Sequence, residues 1–528
     1  MRRKRHGHYF LLLCLGLALG LALVWLTTAG LGMRGMPSLT SLEKTVLGED
    51  PASKENPAGE NTPAGRETPA GEKAPAAGEH PASGEDTTAG EYPAAGEDPG
   101  AAGKDARGEK VNADQAKLDR EDQSVELELI FTGDILLHTP IINEGLAHAV
   151  PGQSEADFSW LFQYCSELFQ AADLVVGNME GTLTEAPYSG YPGFRVPRDL
   201  AKNLADAGFD ACLTINNHAL DGGLAGVSST VDCLRAAGLE ALGSRLSADE
   251  PVFGIFERQG IKIAITAFSY ESSQINGQPS LNGSPIPPDY QALMDTLPVA
   301  AQDSPLYAQG LAECQRRIGL MQDAGADLII FLMHWGDEYH FTPNHWQENL
   351  AQDLAAAGVD LIIGSHPHVV QPLVRLPAQN QSGQMFCYYS LGNFVSSQQA
   401  DTGNSNGRAE EGAIARVQVK KDSAGCRVVR AEYIPLYMQK TYPGWPAENR
   451  TYGWALPAPQ ILEQLTHVEN ATAENRGPEL PSPISGQSQR TSVWAGLTPM
   501  EREVLRARLN ESVEQTTEIM GPPLDGQP

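Results

Sequence analysis

The chain has 528 residues, with 37 Lys and Arg against 66 Asp and Glu and a formal net charge of −29. That balance argues against sequence-independent nucleic-acid binding, which rests on basic patches. Its seven cysteines stand apart with no CxxC pair, so neither a disulfide framework nor a thiolate zinc clamp is expected.

Residues 1–8 carry Arg2, Arg3, Lys4 and Arg5, and residues 9–33 form an apolar run without a charge. About 20 such residues span the hydrocarbon of a bilayer. The positive flank keeps the N-terminus in the cytoplasm. The expectation is a single-pass signal-anchor in the cell membrane with everything after it extracytoplasmic; a cleaved signal peptide, whose apolar region is usually about 7–15 residues, is the alternative. Residues 34–124 then repeat small units such as Pro57-Ala58-Gly59-Glu60 and Pro93-Ala94-Ala95-Gly96-Glu97. Units with almost no large apolar side chain cannot offset the entropy of ordering, so this stretch reads as a disordered linker. Between Glu49 and Ser124 it holds eighteen acids against eight bases, about a third of the excess charge.

Order begins at residue 125. Val125 to Phe131 runs from alternation into a continuous apolar stretch and ends in Gly133-Asp134, as a strand entering a buried sheet does. Apolar residues at three-and-four spacing predict a helix over 158–169. Asp173 to Gly177 is a second strand, ending in Asn178 and Glu180. A helix over 198–207 precedes a third strand that ends in Asn216-Asn217-His218, and a helix over 226–237 follows. Two strands, 252–257 and 261–268, turn at Gln259-Gly260. Residues 271–305, rich in Pro, Ser, Gly and Asn, read as a long surface excursion near the site. A helix over 311–323 leads to a strand ending in His334, and a helix over 346–357 to Val359–Ile363, which breaks into Gly364-Ser365-His366-Pro367-His368. Pro367 biases His366 towards extended backbone, which would point both imidazoles the same way. Residues 385–395, 413–420 and 427–437 read as consecutive antiparallel strands. Thr498-Pro499 starts a closing helix to about Glu518, with Leu505, Leu509 and Val513 on one face. The pattern is α/β with mixed sheets over 125–440, followed by a C-terminal extension, 441–528.

Five strand ends thus offer Asp134, Asn178 with Glu180, Asn217 with His218, His334, and His366 with His368. Ligands of α/β sheets bind beyond the carboxyl ends of the strands, where such residues converge. Carboxylate oxygen and imidazole nitrogen without thiolate suit a divalent Mn, Fe or Zn, and a bridging carboxylate would let two ions share the site.

Read together, Gly133-Asp134, Asn178-Met179-Glu180-Gly181, Asn216-Asn217-His218-Ala219-Leu220-Asp221-Gly222-Gly223, His334-Trp335-Gly336-Asp337-Glu338-Tyr339, Gly364-Ser365-His366-Pro367-His368-Val369-Val370-Gln371 and Ser390-Leu391-Gly392-Asn393-Phe394 resemble the motif series of the CapA family of poly-γ-glutamate capsule biosynthesis proteins. That family is similar to calcineurin-like metallophosphoesterases. The resemblance implies a four-layer α/β/β/α sandwich with a dinuclear site. Asp134, Glu180, Asn217, His334, His366 and His368 would be metal ligands, with Glu180 as the bridge, His218 a general acid, and Asn178 and Asn393 would face substrate. Two departures stand out. Asp134 is followed by Ile135 and Leu136 rather than by an Asp-x-His pattern, with His138 four residues on. Ala219 follows His218 where a carboxylate often supports the histidine.

What the resemblance implies is a membrane-anchored, extracytoplasmic metal-dependent hydrolase acting in synthesis or export of an anionic polymer, with partners among other membrane proteins. A general extracytoplasmic metallophosphatase and a non-catalytic, metal-bearing scaffold of an export complex are the alternatives.

Overall fold

The computed structural model describes residues 124–398, 408–439, 454–473 and 497–526. The expected basic segment 1–8, membrane segment 9–33 and linker up to residue 123 lie outside the described residues. Among the described residues no helix is long and apolar enough to cross a membrane.

The first half runs β1 (Val125–Ile135), α1 (Thr139–Ala147), α2 (Ser166–Ala171), β2 (Leu174–Met179), β3 (Thr182–Thr184), β4 (Arg195–Pro197), α3 (Asp199–Ala207), β5 (Ala211–Leu213), α4 (Gly223–Ala236) and β6 (Glu240–Leu242). The second half opens with β7 (Gly254–Arg258) and β8 (Ile261–Tyr270), then β9 (Ser273–Ile275), β10 (Gln278–Leu281), β11 (Ser284–Pro285), α5 (Pro288–Gln291) and β12 (Thr296–Leu297). It continues with α6 (Pro305–Asp323), β13 (Leu328–His334), α7 (His345–Ala356), β14 (Leu361–Ser365), β15 (Val370–Pro377), β16 (Gln384–Leu391), β17 (Asn393–Val395), β18 (Glu411–Asp422) and β19 (Gly425–Gln439). β20 (Trp454–Pro457), α8 (Ala458–Ala473), α9 (Pro499–Met520) and β21 (Leu524–Asp525) complete the described chain.

Two sheets form the body. One has the order β20-β19-β18-β1-β2-β5-β6, with β17 beside β1 and β21 beside β19; the other has the order β12-β8-β13-β14-β16-β15, with β7 beside β8. Strand alternation sets the layers. Leu129 and Phe131 of β1 share a buried cluster with Ile263 and Ile265 of β8 and with Leu328, Ile330 and Leu332 of β13, so these inner faces meet each other. Ile130 and Val175 point the opposite way, into a cluster with Leu200 and Leu204 of α3 and Val231 and Leu234 of α4. Phe331, Ile362 and Cys387 face Ile318 of α6 and Leu350 and Leu354 of α7. The arrangement is helices, sheet, sheet, helices. Fully burying one aliphatic or aromatic side chain contributes about 1.5–3 kcal/mol, which makes this doubly covered interior the main support of the fold.

The predicted strand–helix alternation is present, with four differences. Residues 158–169 form a 3-10 turn over Ser159–Phe162 and then α2; the same apolar residues are buried, but in two short pieces. The excursion at 271–305 is built rather than loose, with a three-stranded sheet turned by Asn276-Gly277 and Asn282-Gly283, all four at positive φ. Residues 385–395 are not one strand of a meander. β16 belongs to the second sheet and β17 to the first, where it runs parallel to β1. His366 is not extended: its φ is 99°, and that of His368 is 58°. β14 is parallel to β16 and β15 antiparallel to it, so the chain must reverse between Ser365 and Val370, which extended backbone cannot do. Beyond residue 440, β20 and β21 pair with β19, and α9 packs against β19 through Leu505, Leu509 and Val513.

Candidate functional site

Both sheets end their parallel strands at the same edge, and the polar strand-end residues meet there. Asp134 Oδ1 accepts from Asn178 Nδ2 at 2.7 Å, while Oδ2 lies 3.0 Å from His368 Nδ1 and 3.4 Å from the backbone nitrogen of His366. Glu180 follows β2 and is wholly buried. Its Oε1 stands 3.8 Å from Nε2 of both His334 and His368. His334 Nε2 is 2.7 Å from Asn217 Oδ1, and its Nδ1 lies 3.1 Å from Ser365 Oγ and 3.2 Å from Asn178 Nδ2. The His366 ring centre is 4.8 Å from that of His334 and 4.6 Å from that of Tyr270.

The backbone is shaped to allow this approach. A Cβ on Gly364 would stand 2.0 Å from the Tyr389 carbonyl oxygen, so only glycine lets β14 end where it does. The left-handed backbones of His366 and His368 cost of order 1–3 kcal/mol each, strain of the kind that collects at functional sites.

Electrostatically the cluster is unfinished. Both carboxylate oxygens of Glu180, Asn178 Oδ1 and His366 Nδ1 are buried with no hydrogen-bond partner. Burial pushes Glu180 well above the usual carboxylate range; the His368 charge opposes that and Asp134 reinforces it. Burial pushes His334 and His366 well below the usual imidazole value, helped by the neighbouring histidines. For His368 burial acts downward too, but Glu180 and Asp134 outweigh it and hold the ring at about 9. Buried polar groups are normally satisfied, and this many orphans in one place call for a missing charge. Two groups of three can supply ligands to a cation, Glu180 with His334 and His366, and Asp134 with Glu180 and His368. Glu180 is common to both. The chemistry fits: oxygen and neutral imidazole nitrogen, with no thiolate within either group.

His218 stands at the edge of this cluster. Its Nδ1 lies 2.7 Å from Asp221 Oδ2, and its ring packs edge-on against Phe194 at 4.7 Å. The carboxylate absent at position 219 is thus supplied two residues further on, by Asp221. His138 joins neither three-residue group and packs edge-on against Phe194 at 5.0 Å. Asn393 was expected to face substrate. It is buried, and its amide donates to Gln398 Oε1 and to the carbonyls of His368 and Ala409, while its Oδ1 lies 3.2 Å from His368 Nδ1. It holds His368 in place. Asn178 likewise orients Asp134. Sequence reasoning missed Asp221, Tyr270 and Asn282. Asn282 Oδ1 accepts from Asn217 Nδ2 at 3.4 Å, and the Asn-Gly pair that carries it is the recognised signal of a tight hairpin.

Fold and site together define a two-sheet α/β protein with a buried carboxylate–imidazole centre able to hold metal. Residues 128–398, just over half of the chain, match the family described as bacterial capsule synthesis protein PGA_cap, and the chain belongs to that family. It is similar to the PGA biosynthesis protein CapA of Bacillus subtilis (strain 168), 27% identical over 350 residues, covering 65% of this chain and 79% of that one. It is also similar to the capsule biosynthesis protein CapA of Bacillus anthracis, 25% identical over 245 residues, 45% and 53% of the two chains. A probable polyglutamine synthesis accessory protein of Mycobacterium tuberculosis (strain ATCC 25618 / H37Rv) is 23% identical over 235 residues, 43% and 59%.

Proposed function

We propose that this is a membrane-anchored, extracytoplasmic protein of poly-γ-glutamate capsule synthesis or export, whose folded part is a metal-dependent phosphoesterase-like domain. The process comes from the family and from the names of the CapA relatives. The chemistry comes from one observation: Glu180, wholly buried with both oxygens unpartnered, is shared by two three-residue ligand groups. Two divalent ions, Mn, Fe or Zn, would be held by Asp134, Glu180 and His368 on one side and by Glu180, His334, His366 and Asn217 on the other. Bound there, they would supply an activated water and stabilise charge on a phosphoryl group. His218 would protonate the leaving group from Nε2, since Nδ1 is committed to Asp221. Asn178 and Asn393 orient ligands rather than bind substrate on this reading.

Elemental analysis of the purified chain is the first test, with two transition ions per chain expected. Manganese-dependent hydrolysis of an aryl phosphate, abolished in His366→Ala, is the second. A folded chain that neither contains nor takes up such ions sinks the reading. One that keeps its ions and binds polyglutamate without turnover is a scaffold, and the phosphoesterase assignment falls.

A further inference from the structure

We infer that Asn282 is a positioning residue which fixes the amide of Asn217 with its oxygen towards the metal centre, and that the hairpin β10–β11 exists at this place to deliver it. The inference rests on the metal reading above.

A primary amide has two ends of nearly equal size and opposite chemistry, and a cation accepts only the oxygen. Asn217 directs its oxygen at the Glu180–His334–His366 group, 2.7 Å from His334 Nε2, and its nitrogen donates away from it, to Asn282 Oδ1 at 3.4 Å. Turned over, Asn217 would aim two N–H groups at the cation and its oxygen at another oxygen. Asn282 penalises that state. Partners of this kind behind metal ligands typically change affinity about 10–100-fold when removed.

The same side chain also spans to His218. Asn282 Nδ2 lies 3.5 Å from both ring nitrogens, a long contact shared between them that limits where the ring can swing. The tip is exposed, but its base is not loose. Leu281 and Ile286 are fully buried in the layer between the sheets, and the backbone nitrogen of Asn282 donates to Ser272 Oγ at 2.6 Å. Asn282 sits at φ 45° as the first residue of an Asn-Gly turn. That conformation leaves two informative replacements: Gly removes the amide and keeps the backbone, and Asp keeps an acceptor.

The test uses the full chain, stripped of metal, titrated with Mn²⁺ by calorimetry with bound metal counted independently. Expected is that N282G weakens one class of Mn²⁺ site about tenfold and leaves the other unchanged, while N282D binds at least as tightly as the wild type. N282G titrating as the wild type overturns the inference, as does equal weakening in N282G and N282D. An N282G chain that unfolds earlier than the wild type without metal also overturns it, by placing the effect in the turn. These outcomes leave the metal reading standing. A wild-type chain that takes up no Mn²⁺ removes the metal reading and the inference with it.

Discussion

At the scale of single residues, the protonation of His368 ties stability to metal. An unfolded imidazole titrates at about 6.5. Folded, His368 is held at about 9 by Glu180 and Asp134 against the downward pull of burial. Its contribution is therefore full below about pH 6.5 and is lost as pH rises through about 9. Glu180, also raised, acts with the same sign. The expected outcome is a melting temperature of the metal-free protein that falls between roughly pH 6.5 and 9. Adding Mn²⁺ should remove that fall, because the cation replaces the proton; thermal unfolding with and without chelator checks both arms. Asp221 carries a separate prediction. Asp221→Asn should lower turnover of a phosphate ester about 100-fold or more, the scale of general acid catalysis, and leave the metal count unchanged. Equal loss of metal and turnover would mean that Asp221 supports the fold rather than His218.

At the scale of elements, what could be read from the chain alone divides cleanly. Strand ends with polar residues were legible, since Asp134, Glu180, His334 and His366 each close a run whose apolar content already implies burial. The start of the closing helix at Thr498-Pro499 was legible for the same local reason, and its capping box with Glu501 is what the structure adds. Reversal at His366 was not, because it follows from how β15 pairs, and pairing partners are distant in sequence. Asn282 lies 64 residues from His218, and nothing local says that a hairpin tip returns to the site. Two element-scale outcomes are expected. Gly364→Ala drives a methyl into the Tyr389 carbonyl oxygen at 2.0 Å, and backbone at both ends leaves little room to yield. A loss of about 3 kcal/mol or more in urea unfolding is expected, at or beyond the usual overpacking range. Leu509→Ala, which empties a fully buried position of α9, should cost about 2–5 kcal/mol by the same measurement. A cost near zero would show α9 to be dispensable.

For the whole molecule, the proposed anchor makes location testable apart from chemistry. Deleting residues 1–33 should move the protein from the membrane fraction to the soluble one without changing its metal content, since about 20 apolar residues are what holds a single-pass chain. The two sheets of the folded body carry different shares of the centre, Asp134 and Glu180 from the first, His334, His366 and His368 from the second. The chain steps between those sheets at Leu391-Gly392-Asn393, directly behind the centre. There the Gly392 carbonyl receives the Asp134 N–H at 3.0 Å, and a Cβ on Gly133 would come within 1.9 Å of that oxygen. This crossing acts as a rivet. Parting the two sheets there would break that hydrogen bond and a close backbone contact, so the carboxylates of one half keep their distance from the imidazoles of the other.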